Sequence, residues 1–112
     1  MEFNYPLDMT RKQALVRRAN RLIDWLHREE YSKYVDEASV NNLKRLIKRI
    51  IWALEQSLDE AEWKEFLLLF QESRKILVVE NEDEQEAAYN ETIASLISSL
   101  ETYRGFVEDM ED

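Results

Sequence analysis

Cysteine is missing altogether from this 112-residue chain, and glycine, proline and histidine occur once each. Without cysteine there can be no disulfide, no thiolate nucleophile and no Cys-ligated zinc, and a reducing compartment is permitted. A single glycine rules out the glycine-rich loops that cradle phosphates. The shortage of Gly and Pro also argues against sandwiches and doubly wound sheets, which need turn residues in quantity. The lone histidine, His27, stands three residues after Asp24. That is half of a di-iron carboxylate motif, and the second Glu-x-x-His repeat has no histidine to use. No nucleophile elbow accompanies it either, and His27 reads as a plain surface residue. Long apolar runs are absent too: the longest is FLLLF, residues 66–70, far short of a membrane span. The first ten residues, MEFNYPLDMT, have neither a basic n-region nor an apolar stretch, so no secretory signal is expected and a cytoplasmic location is.

What is present suits a helical domain. Hydrophobic residues make up 45% of the chain and charged ones 35%, and a chain of this size buries roughly 65% of its unfolded surface. The expected fold is all-α: an antiparallel four-helix bundle forming one domain over 1–112, with a short extended N-terminal lead-in and an acidic C-terminal tail. The first helix spans about 9–30, capped by Asp8 or Thr10, where Thr10 and Gln13 have capping-box spacing. Leu15, Ala19, Leu22, Ile23 and Leu26 give it one apolar stripe. Phe3, Tyr5 and Leu7 around Pro6 read as the lead-in. A second helix over 39–58, capped by Ser39, carries Val40, Leu43, Ile47, Ile50, Leu54 and Leu58 on one side. Asp59 and Glu62 mark the start of a third helix, 60–79, with Trp63, Phe66, Leu67, Phe70 and Leu77 inward. Arg74 falls along that same stripe. The β-branched end of KILVVE, residues 75–80, would suit a strand, but no second strand exists to pair with it. A fourth helix over 84–104 follows the acidic stretch ENEDEQE, and Gly105 stands where a left-handed residue would close it.

Charge divides the chain. Residues 1–58 hold 11 Lys and Arg against 8 Asp and Glu, whereas residues 59–112 hold 4 against 16. The second helix concentrates the cations: Lys44, Arg45, Lys48 and Arg49 share one arc away from its apolar side, with Trp52 in the middle of it. Three readings of this ridge compete. Carboxylates of the third and fourth helices could neutralise it internally. It could hold phosphates and stack a base, although a net charge of −9 weighs against a nucleic-acid partner. It could meet an acidic protein surface, since Trp and Arg are frequent at interface hot spots.

The acidic half offers the complementary idea. Glu80, Glu82, Asp83, Glu84 and Glu86 head a series of carboxylates on a stiff helical frame. Such a surface can imitate the phosphates of a nucleic acid and occupy a basic groove on another protein. Calcium does not fit ENEDEQE, because the D-x-[DN]-x-[DN]-G spacing is absent. Leu68, Leu69 and Ile76 lie off the inward side of the third helix, which makes that helix either central or a contact between copies. The function that follows is non-catalytic: a protein-binding bundle of inhibitor or immunity type (phage anti-defence or antitoxin-like) whose acidic half covers a basic site on its target. No cofactor and no metal are expected. Two alternatives stand beside it, a nucleic-acid-binding small subunit using the basic ridge and a homodimeric adaptor.

Overall fold

The computed structural model describes residues 10–29 and 35–110. The lead-in around Phe3, Tyr5 and Leu7, part of the link after the first helix, and the last two residues lie outside the described residues. Four α-helices follow one another: α1 (Arg11–Glu29), α2 (Glu37–Glu55), α3 (Glu60–Ile76) and α4 (Gln85–Glu108), with a 3-10 turn, Glu82–Glu84, just before α4. No strand occurs among the described residues. The architecture is an all-α four-helix bundle.

Local chemistry sets the helix starts. Thr10 and Gln13 exchange the two bonds of a capping box, backbone N–H to side-chain oxygen in each direction, at 3.1 Å. Asp59 and Glu62 do the same at α3: the Glu62 N–H donates to Asp59 Oδ1 at 2.9 Å, and the Asp59 N–H reaches Glu62 Oε1 at 3.4 Å. At α2 the cap is Asp36 rather than Ser39. Ser39 takes the third helical position, where its N–H donates to Asp36 Oδ1 at 2.8 Å. A carboxylate accepts from the orphan amides as well as a hydroxyl does and adds a charge at the positive end of the dipole, so the helix begins one turn earlier than the serine suggests.

The helix ends differ from expectation as well. The third helix stops at Ile76, short of 79, and Val78 is left 75% exposed. The fourth runs through Gly105 to Glu108. Gly105 is an interior helical residue and not a left-handed cap. Phe106 explains the extension: it meets Phe66 edge to face at 5.3 Å, and Val107 beyond it is fully buried. Apolar packing on both sides of the glycine outweighs its poor helix propensity. The acidic tail is thus anchored up to Met110, which packs against the core. Arg74 is exposed, and Ser73 occupies the inward position in its place. The Ser73 hydroxyl is satisfied by Leu69 O at 3.1 Å and by Ser95 Oγ at 2.7 Å. A small side chain there lets α3 and α4 approach closely, which a guanidinium would prevent.

Side-chain contacts give the direction of every helix. Arg11, at the start of α1, donates to the Ser57 carbonyl in the α2–α3 turn. Ser57 Oγ in turn lies 2.7 Å from Tyr103 Oη, near the end of α4. At the opposite end, Tyr89, near the start of α4, has its pKa raised by burial and, to a lesser degree, by the nearby Glu29 carboxylate at the end of α1. The first and fourth helices are therefore antiparallel. Phe66 meets Tyr103 while Ser73 meets Ser95, so α3 and α4 are antiparallel too. An up-down-up-down bundle with short links follows.

The core is one contiguous cluster drawn from all four helices; the inward residues expected of α2 are all buried, as are Tyr89, Ile93, Leu96, Ile97, Leu100 and Tyr103 along α4. Each fully buried Leu or Ile contributes about 1.5–3 kcal/mol. The neighbours are not equally close. The fourth helix packs most extensively on α1 and then on α3, and α2 leans on α3, but α1 and α2 scarcely approach within 8 Å between Cα atoms. The central helix is thus α4, and the bundle has one open edge, the seam between α1 and α2.

Candidate functional site

In a square bundle ordered α1, α2, α3, α4, the α1/α2 side lies opposite the α3/α4 side. That arrangement turns the charge split of the sequence into a charge split in space. Arg17, Arg21 and Arg28 are exposed on α1, and Arg45, Lys48 and Arg49 on α2. Glu60, Glu65 and Glu72 are exposed on α3, and Glu86, Glu91, Glu101 and Glu108 on α4.

Little of this charge is neutralised among the described residues. Ion pairs among the described residues include Glu72 with Lys75 at 2.9 Å and Glu108 with Arg104 at 3.8 Å. Both pairs are local steps along one helix at exposed positions, where such contacts contribute little. No carboxylate among the described residues lies within ion-pair distance of Lys44, Arg45, Lys48 or Arg49. Arg104 also ties α4 to α1 by donating to Asn20 Oδ1 at 2.7 Å. At physiological ionic strength the screening length is about 8 Å, so a partner responds mainly to the charges of the face it touches. The net charge of −9 governs approach from afar, and the local face governs contact.

The basic ridge of α2 is arranged as its spacing suggests. Arg45, Lys48 and Arg49 are exposed, Lys44 is half-buried toward α3, and Trp52 is 54% exposed among them. An exposed indole ringed by cations offers a flat apolar surface with charge around it.

The acidic set is equally open. Glu80, Glu82, Asp83, Glu84 and Glu86 are all exposed, and Glu82–Glu84 form the turn that feeds α4. Their carboxylates sit at the positive end of the α4 dipole, which favours them there. Glu82 and Asp83 also line a cleft of about 730 Å³ at that end of the bundle, facing Asp36, Glu37 and Lys44 over a floor of Val40 and Leu77. Asp36 is committed to its cap, and the bonds from Ser39 hold its carboxyl below the usual range. Asp59 is held low in the same way by Glu62, whose own carboxyl is raised by Asp59. These shifts belong to the helix caps. Among the described residues no group of three or more His, Cys, Asp and Glu side chains is placed to hold a metal ion.

The three apolar residues singled out on α3 do not form one patch. Leu69 and Ile76 are two turns apart on the same flank, with Leu69 40% exposed and Ile76 half-buried. Leu68, 59% exposed, points about 100° away from Leu69. It is ringed by Lys64, Glu65, Gln71 and Glu72, one turn to either side. Single apolar residues in such surroundings are ordinary surface.

A feature the sequence reading passed over lies at the open edge. Arg21, Leu22, Trp25 and Arg28 of α1 face Leu46 of α2 across a groove of about 460 Å³ that also takes in Asp24. Trp25 is 39% exposed there. The signal in the sequence was Trp25 beside Arg21, which by itself is equally a boundary tryptophan packed under an arginine. No helix of the described residues is long and apolar enough to cross a membrane. No protein-family model, no curated protein and no solved structure matches the chain, so what it resembles is its own geometry alone.

Proposed function

We propose that this chain is a non-catalytic, protein-binding bundle of inhibitor or immunity type, working in the cytoplasm, whose acidic face covers a basic site on its target. One observation carries the reading: the carboxylates of α3, the 3-10 turn and α4 other than the capping Glu62 are exposed, nearly all without an ion pair among the described residues, and mounted on helices packed around a common core. A rigid array of unpaired charge gives up no internal bonds when it meets a complementary surface, and it steers the encounter. The target site is a surface rich in Lys and Arg, of the kind that binds nucleic acid.

The test begins by recovering partners from the native host by affinity capture and mass spectrometry. Glu82, Asp83, Glu84 and Glu86 are then replaced together, once by Lys and once by the neutral amides Gln and Asn. The amide set is needed because lysines at the positive end of the α4 dipole also weaken the helix. Both sets lower affinity, the lysine set more, and the wild-type affinity falls steeply with added salt. Unchanged affinity of both variants at low salt refutes the proposal.

A second reading rests on Trp52, 54% exposed amid cations with no ion-pair partner among the described residues. It assigns Lys44, Arg45, Lys48, Arg49 and Trp52 to a nucleic-acid strand, with the indole as a stacking platform. Recovery of nucleic acid in the same capture, lost on Trp52→Ala, would favour it.

A further inference from the structure

The acidic face leaves one feature of the molecule unused, the seam between α1 and α2. The other neighbouring helices close on one another, and this pair does not. The gap exposes Trp25 and holds the half-buried Leu22 and Leu46 along its floor. Arg21 and Arg28 flank it, seven residues and so two turns apart on the same side of α1. Neither arginine is within ion-pair distance of a carboxylate among the described residues, although Asp24 stands one turn from each.

We infer that this seam is a docking groove for an acidic amphipathic helix of a partner protein. Three aspects of its chemistry select that occupant. An aliphatic floor with an indole at its edge takes apolar side chains in helical register, as helix-in-groove complexes do. Leu22 and Leu46 have nothing to offer a sugar-phosphate backbone, which sets this groove apart from the cation ridge around Trp52. The arginines are separated by about 10.5 Å along the axis, the rise of seven helical residues, so they match carboxylates at i and i+7 of a helix lying alongside. Between them Asp24 repels a carboxylate at the middle level. The favoured partner carries Glu or Asp at both ends of a two-turn stretch and a neutral or basic residue halfway, with Leu, Ile or Phe on the side turned to the floor. Docking there adds a fifth helix where the bundle is open.

The proposal stands apart from the acidic-face reading, because it uses opposite residues on the opposite side. The probe is a labelled synthetic helix with leucines three and four residues apart along one side and, on the neighbouring flank, glutamates at i and i+7 with a neutral residue midway, read by fluorescence anisotropy at physiological salt. Controls are a peptide of the same composition in scrambled order and a single-stranded oligonucleotide of equal charge. The expected result is binding of the patterned peptide, weakened at least about tenfold by Arg21→Glu/Arg28→Glu and largely kept by Arg21→Lys/Arg28→Lys. Asp24→Asn strengthens binding of a peptide with glutamate at the middle level. Both arginines are exposed, and equal thermal melts of the variants confirm that the bundle is intact. Equal affinity for the scrambled peptide, indifference to the charge reversal, or displacement of the peptide by the oligonucleotide overturns the proposal. The acidic-face variants leave this binding unaltered, so failure of one idea is distinguishable from failure of the other.

Discussion

Ser57 and Tyr103 form a buried polar tie whose removal has a direction-dependent cost. Both residues are fully buried and their oxygens lie 2.7 Å apart. The Ser57 hydroxyl donates to Leu54 O, so the proton between the two side chains belongs to tyrosine. Tyr103→Phe removes that donor and leaves Ser57 with its other bond, a loss of about 1 kcal/mol. Ser57→Ala leaves a buried phenol without an acceptor and Leu54 O without its hydroxyl, which costs about 2–3 kcal/mol. The double variant removes both partners and is expected to be no worse than Ser57→Ala alone. For a domain of this size, 1 kcal/mol lowers Tm by about 4 °C. Urea and thermal unfolding followed by circular dichroism measure all four proteins. The pH dependence gives a second reading. Burial raises the Tyr103 pKa, with Ser57 partly opposing the shift. A folded-state pKa above the unfolded one means stability is intact below the unfolded tyrosine value of about 10 and is lost as pH climbs through the folded value. That loss has a limiting slope of about 1.4 kcal/mol per pH unit for one proton. Tyr103→Phe flattens the alkaline limb, leaving the share from Tyr89, also raised by burial. A larger cost for Tyr103→Phe than for Ser57→Ala, or strictly additive single effects, would refute this account of the tie.

Gly105→Ala is expected to stabilise the fold by about 0.5–1 kcal/mol in urea titrations, because the residue is helical and an added Cβ meets nothing within 4 Å. A loss of stability would mean that this residue leaves the helical conformation. Asp36→Ala and Asp59→Ala should each lower Tm at neutral pH, with the deficit shrinking as pH falls, in melts recorded across the acid range. Both carboxyls are depressed in the folded state, so their contribution is present above the unfolded carboxylate pKa and vanishes as pH drops through the folded one. A pH-independent deficit would mean the carboxylate charge plays no part in the cap.

The all-α bundle could be read from periodicity because amphipathic spacing is a property of single helices. Val40, Leu43, Ile47, Ile50 and Leu54 had to face inward whatever the partner helix was. Boundaries were less readable, since they depend on contacts between helices. Phe106 and Val107 carry α4 past its glycine only because Phe66 and the core are there to receive them. The choice of Ser73 over Arg74 for the inward position is likewise a matter of how near α4 comes. Of the candidate surfaces, the charge division was visible in the order of residues and became spatial through the helix order. The groove at Trp25 was not visible, because the spacing of α1 from α2 is set by everything they pack against and by no motif of their own.

The open edge of the bundle also ranks its helices by how firmly each is held. The fourth helix is gripped from two sides, and the first is fastened to it by Asn20–Arg104 in addition to the shared core. The second helix, by contrast, leans chiefly on α3 along one flank. It is the piece with fewest ties to break, so partial opening starts there, and amide protons of α2 should exchange with solvent before those of α4. Any partner that wedges into that edge would act as a clasp, slowing the departure of the helix the chain itself holds most loosely.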